Sequence, residues 1–141
     1  MILLNLPVWF VHPFAWHQLI SWALLIISIY LVIVGLKLLR NTGKPQPERE
    51  DPTLLPLEKT TTLVTPGLYR YIRHPLYSSL LFLAWGVFFK QPAWLGLALA
   101  AVATFFLYRT ARMEEDENIQ FFGLAYQDYM KRTKMFIPGI L

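Results

Sequence analysis

The sequence predicts an all-α integral membrane helical bundle. It has three transmembrane helices, four if the first residues also cross, and a C-terminal amphipathic helix. Three observations lead there. Of 141 residues, 55% are hydrophobic and 16% charged, the balance of a chain that sits in lipid. Three apolar stretches contain no Asp, Glu, Lys or Arg. Almost every charge is gathered on one side of those stretches. The length allows a single domain, made of residues 1–40 with the first span, a loop at 41–59, and a helical hairpin with its C-terminal helix at 60–138.

Residues 1–18, MILLNLPVWFVHPFAWHQ, carry no charged side chain, and Pro7 and Pro13 interrupt any long helix there. A secretory signal would need a basic start and a small-residue cleavage site, so an interfacial or partly inserted segment is expected. Residues 19–36 form the first span, ~27 Å as a helix against a hydrocarbon core of ~30 Å. Residues 76–89 and 93–108 are shorter, ~21 Å and ~24 Å. Only Lys90, Gln91 and Pro92 separate them, which reads as a tight helical hairpin. Trp94 beside that turn, with Trp16 and Trp22 near the start of the first span, fits an aromatic belt at one membrane face.

Charge orients the bundle. Of 13 Lys and Arg, only Lys90 lies in the hairpin turn; seven lie between the first two spans and five follow the third. By the positive-inside rule the long loop and the C-terminus face the cytoplasm. All nine acidic residues fall on that side too, so the polar chemistry belongs there. Within it, residues 41–59 form a Pro-rich, mixed-charge loop. Beyond the third span, Ile119, Phe122, Tyr126, Tyr129, Met130 and Thr133 recur at steps of three and four, an amphipathic helix that Gly123 is placed to break.

Several function classes fall away. Without cysteine there is no disulfide, thiolate metal site or cysteine nucleophile. His12, His17 and His74 lack metal-ligand spacing, so no metal is expected. The net charge of +4 forms no soluble basic patch, so no nucleic acid is expected either. The seven glycines never occur as G-x-G, which excludes a soluble dinucleotide-type fold.

The stretch YRYIRHPLYSS, residues 69–79, sits at the threshold of the second span. Proline is well tolerated at the first helical position, where its missing N–H would be unpaired anyway, so Pro75 starts the helix with His74 near its N-cap. A helix start flanked by Arg73 and His74 suits a carboxylate or phosphate. Tyr69, Tyr71 and Tyr77 offer flat faces for a heteroaromatic ring or a sulfonium. Basic anchors and interfacial tyrosines would look the same in isolation. The stretch RTARMEEDE, residues 109–117, returns to the same membrane face and sets Glu114 and Glu115 opposite. An amino-acid-like ligand finds a partner there for each of its charges, which points to a zwitterionic nucleotide cofactor.

TTLVTPGLYRYIRHPLYSS, followed by R…EE…FFGLAYQDYMKR…IP, resembles the isoprenylcysteine carboxyl methyltransferase family, part of a wider membrane group that includes the phospholipid N-methyltransferases. The resemblance covers residues 60–138. It implies S-adenosylmethionine as methyl donor, with Thr61, Thr62, Leu63 and Val64 lining its pocket by backbone. Tyr69, Arg73, His74, Pro75, Leu76 and Tyr77 would hold it from the helix start, and Glu114 from the far side. It further implies an arginine, Arg109 or Arg112, meeting the acceptor's carboxylate. The family's glycine two places after the RHPxY tyrosine is replaced here, Tyr77 being followed by Ser78 and Ser79.

The expected function is methyl transfer to a lipophilic acceptor, such as a prenylcysteine-type carboxylate, entering sideways from the bilayer. A carboxylate needs only orientation; an amine or thiol needs a base, for which Glu115 is the candidate. A membrane sterol-type reductase using NADPH, phospholipid N-methyltransferase activity on the same fold, and a non-catalytic membrane scaffold are the competing readings.

Overall fold

The computed structural model describes residues 1–44 and 60–141; most of the expected Pro-rich loop lies outside them. All named elements of the described residues are helical. They are α1 (Ile2–Asn5), α2 (Trp16–Thr42), α3 (Pro75–Lys90), α4 (Trp94–Phe122) and α5 (Leu124–Arg132), with 3₁₀ turns at Leu6–Val8 and Gly67–Arg70. Two helices, α2 and α4, are long and apolar enough to cross a membrane. The 16 residues of α3 reach ~24 Å.

The start of the chain is not a fourth long helix. Two prolines leave α1 only four residues long before a 3₁₀ turn, and the segment folds over the end of α3 instead. Asn5 Nδ2 donates to the Val87 carbonyl at 2.8 Å, and Gln18 Nε2 donates to the carbonyls of Val8 and Lys90. Lys90, in the hairpin turn, is closed to solvent. Its Nζ donates to Gln18 Oε1 and sits 3.5 Å from the centroid of the Trp22 ring, a cation–π contact that gives an otherwise unpaired charge a partner.

Small residues let α2 and α3 pack closely, as in membrane helix pairs. Ser21 Oγ donates to the Gly86 carbonyl at 2.6 Å and Ser28 Oγ to the Ser79 carbonyl at 2.7 Å. A Cβ on Gly86 would come within 2.9 Å of Leu25 Cδ2. The departure from the family glycine is absorbed in the same way: Ser78 and Ser79 are both buried and both bonded to backbone carbonyls.

The expected hairpin is present, with α3 and α4 joined across Gln91–Ala93. The polar stretch after residue 108 is not a separate element. α4 continues through it to Phe122, ~20 Å past its apolar part. Gly123 then breaks the helix as expected, at φ +61°, where a side chain would be strained. Beyond it α5 is amphipathic as its spacing predicts: Tyr126 and Tyr129 are buried, while Gln127, Asp128 and Lys131 are exposed.

Residues 133–136 return to the start of α3. Arg73 N–H donates to the Lys134 carbonyl, Lys134 N–H to the Tyr71 carbonyl and His74 N–H to the Met135 carbonyl. Ser78 Oγ donates to the Phe136 carbonyl at 2.8 Å, and Phe136 packs with Leu81, Ala111 and Met135 in a small core under the helix start.

Candidate active site

His74 is the N-cap of α3 and Pro75 its first residue, as the missing proline N–H dictates. Where α4 runs past its apolar part it carries Glu114 and Glu115 up to that helix start. Glu114 Oε2 lies 3.7 Å from His74 Nδ1, and Glu115 Oε1 lies 3.4 Å from His74 Nε2. The imidazole thus stands between the two carboxylates. Burial pushes its pKa below the ordinary histidine value, against the opposing pull of Glu115, which favours the neutral ring.

The two carboxylates have different jobs. Glu114 accepts a hydrogen bond from the Tyr77 hydroxyl and lines a half-open cleft. Glu115 is not among the residues lining it. Glu115 Oε1 receives Arg73 Nε at 2.6 Å and its Oε2 receives Arg112 Nη1 at 3.3 Å. Arg73 Nη1 also donates to the Thr133 carbonyl. The expected donor role of Arg73 toward an anion is therefore largely taken up inside the protein. An arginine-paired carboxylate behind the wall is also poorly placed as a general base, the role expected of Glu115.

Leu63, Val64, Tyr69, Arg73, His74, Pro75, Leu76 and Tyr77 line the cleft as the sequence suggests. Thr61 and Thr62 do not. Their N–H groups donate to the Gly43 carbonyl, tying the segment to the end of α2, and Thr60 takes the position in the lining instead. Arg112 joins the network through Glu115 but is half exposed. Arg109 is exposed and reaches neither the cleft nor the ion pairs that surround Glu115.

Four further lining residues escaped sequence reasoning: Leu39 from α2, Asn118 and Phe122 from α4, and Tyr126 from α5. For two of them a signal existed, since Asn118 and Phe122 follow Glu114 at i+4 and i+8 on one helix face. Phe122 and Tyr126 stack, with ring planes 17° apart. Burial raises the Tyr126 pKa, so its hydroxyl stays protonated.

A second, apolar groove runs between α3 and α4, past Leu83, Val87, Phe106 and Leu107, and reaches Thr110. Thr110 is one helical turn before Glu114.

Apolar helices with a charged and aromatic cleft at one end fit a helical membrane protein. Residues 16–125 match the family model described as phospholipid methyltransferase, and the chain belongs to that family. A 74-residue region is 34% identical to methanethiol S-methyltransferase 1 of Bradyrhizobium diazoefficiens, covering 52% of this chain and 25% of that one. The protein-S-isoprenylcysteine O-methyltransferase of Dictyostelium discoideum is 40% identical over 83 residues, 55% of this chain and 33% of the relative. The Arabidopsis thaliana protein-S-isoprenylcysteine O-methyltransferase B is 31% identical over 119 residues, 80% of this chain and 58% of the relative. The chain thus spans between a quarter and three fifths of these relatives' lengths. No solved structure matches it.

Proposed function

We propose that this membrane protein transfers a methyl group from S-adenosylmethionine to a lipophilic acceptor. The observation that carries the reading is His74 held between Glu114 and Glu115 at the mouth of an aromatic cleft. When bound, the cofactor supplies a methyl group already activated as a sulfonium.

The lining fits such a molecule. Among the described residues Glu114 is the one carboxylate in it, and it suits an ammonium or sulfonium. Arg73, in the same lining, keeps a positive charge on that wall although most of its donors go to Glu115 and Thr133. Tyr69, Tyr77, Phe122 and Tyr126 supply flat faces for a heteroaromatic ring. Holding both reactants in line and away from water accounts for much of catalysis in well-aligned systems, ~7–11 kcal/mol.

The acceptor enters along the α3–α4 groove, its apolar part in lipid and its reactive group near Thr110 and Glu114. We take α3 as a third span beside α2 and α4, with the cleft on the cytoplasmic face that the Lys and Arg distribution selects. A carboxylate acceptor arrives ionised and has only to be oriented. A thiol, the group that the methanethiol relatives' names point to, must lose a proton; the neutral His74 ring is the base available in the cleft.

Two measurements test this. Calorimetric titration of the detergent-purified protein should detect S-adenosylmethionine but not NADPH, and His74→Ala should weaken that binding at least tenfold. Incubation with labelled methyl donor and a membrane lipid extract should then label an apolar carboxylate or thiol. Unchanged cofactor affinity in His74→Ala would remove the site assignment, and binding of NADPH alone would replace the reaction class.

A further inference from the structure

We propose that the chain carries a second binding site, separate from the cleft, in which Arg70 and Arg132 hold the phosphate of an anionic phospholipid headgroup. A pocket of about 710 Å³ is lined by Thr65, Arg70, Tyr71, Tyr129, Arg132 and Thr133. The two arginines are far apart in sequence, one on the 3₁₀ turn and the other ending α5. They are brought together by the bridge between Ile72 and Lys134, and by the Tyr129 hydroxyl donating to the Tyr69 carbonyl at 2.6 Å.

None of the six lining residues is acidic. The closest carboxylate in sequence, Asp128, is taken by Lys131 at 2.8 Å. Two guanidinium groups facing one space repel each other, and an anion between them reverses the sign of that interaction. Each carries five N–H donors in a planar fork suited to phosphate oxygens, and among the described residues Arg132 commits only Nε, to the Asp128 carbonyl. Thr65 and Tyr71 are exposed and add hydroxyls. The carbonyl end of α5 would disfavour an anion, but Arg73 answers it from behind, donating to the carbonyls of Met130 and Thr133.

A lipid is the occupant because of where the pocket sits. Tyr71 is 57% exposed and stands four residues before Pro75, where α3 begins its apolar run. Exposed tyrosine beside arginine at that depth belongs to the headgroup layer. The phosphate source in that layer is the bilayer itself. The proposal concerns binding alone and stands or falls independently of methyl transfer.

The test measures binding of dihexanoyl phosphatidylglycerol, dihexanoyl phosphatidylcholine and inorganic phosphate to the purified full chain. Wild type is compared with R70Q/R132Q and with K37Q, which removes an exposed charge on α2, outside the pocket. Because both arginines are exposed, R70Q/R132Q should keep the wild-type circular dichroism. We expect phosphatidylglycerol to bind wild type and K37Q alike and the double variant at least tenfold more weakly. Phosphatidylcholine and inorganic phosphate should each bind wild type at least tenfold more weakly than phosphatidylglycerol. Equal binding by the double variant overturns the proposal, as does an equal loss in K37Q, which would mean undirected charge attraction. Inorganic phosphate binding as tightly as the lipid would overturn the headgroup assignment, and phosphatidylcholine binding as tightly would overturn the requirement for an anion.

Discussion

Arg73 Nε stands 2.6 Å from Glu115 Oε1, and the two side chains are only 9% and 1% exposed. The pair joins two sequence motifs 42 residues apart and fixes the helix start of α3 against α4. Removing one partner from a buried ion pair leaves a charge without compensation, which costs about 3–5 kcal/mol. Glu115→Ala should therefore lower thermal stability in detergent by roughly 3 kcal/mol. The double variant Arg73→Met, Glu115→Leu should recover much of the loss. If Glu115→Ala melts like wild type, the pair does not hold the wall.

Tyr77→Phe tests the cleft itself. It removes the hydroxyl that donates to Glu114, and a hydrogen bond to a charged group contributes about 1.5–3 kcal/mol. Cofactor affinity should fall about tenfold or more while the helical circular dichroism stays as it is. Wild-type affinity would mean that Glu114 needs no such orientation.

The pH dependence follows from His74. Its folded pKa lies below the unfolded value of about 6.5 because burial disfavours the charged ring. Below that pH the unfolded chain takes up the proton more readily than the folded one. The contribution of His74 is therefore complete above about pH 6.5 and declines as the pH falls. His74→Gln should flatten the drop in melting temperature between about pH 7 and 5. An unaltered slope would assign the acid sensitivity to other groups.

Gly86→Ala probes the α2–α3 contact. Its new Cβ would meet Leu25 Cδ2 at 2.9 Å and Leu25 Cγ at 3.0 Å, and overpacking of this kind costs about 1–3 kcal/mol. Adding Leu25→Ala should relieve part of that cost by freeing the space. A Gly86→Ala protein as stable as wild type would show that the helices can part without penalty.

Much of this arrangement was legible in the sequence because local rules fix it. Pro75 starts α3 through its missing N–H, Gly123 ends α4 through its positive φ, and the three-and-four spacing of Tyr126 and Tyr129 gives the buried face of α5. Hidden from such reading was whatever depends on long-range pairing. Arg73 offers the same side chain to an external anion as to Glu115, and only the approach of α4 decides between them. The return of residues 133–136 rests on backbone bonds to Tyr71, Arg73 and His74, which leave no compositional trace. The burial of Lys90 was hidden for the same reason, since its partners Gln18 and Trp22 lie on another helix.

The bonds from residues 134–136 to the start of α3 also impose an order in time. Translation delivers that helix start first, the acidic stretch of α4 next, and the segment that ties them down last. Until residues 134–136 have left the ribosome, the start of α3 and the acidic stretch of α4 lack the backbone bonds that fasten them, so the cleft closes only after that segment emerges.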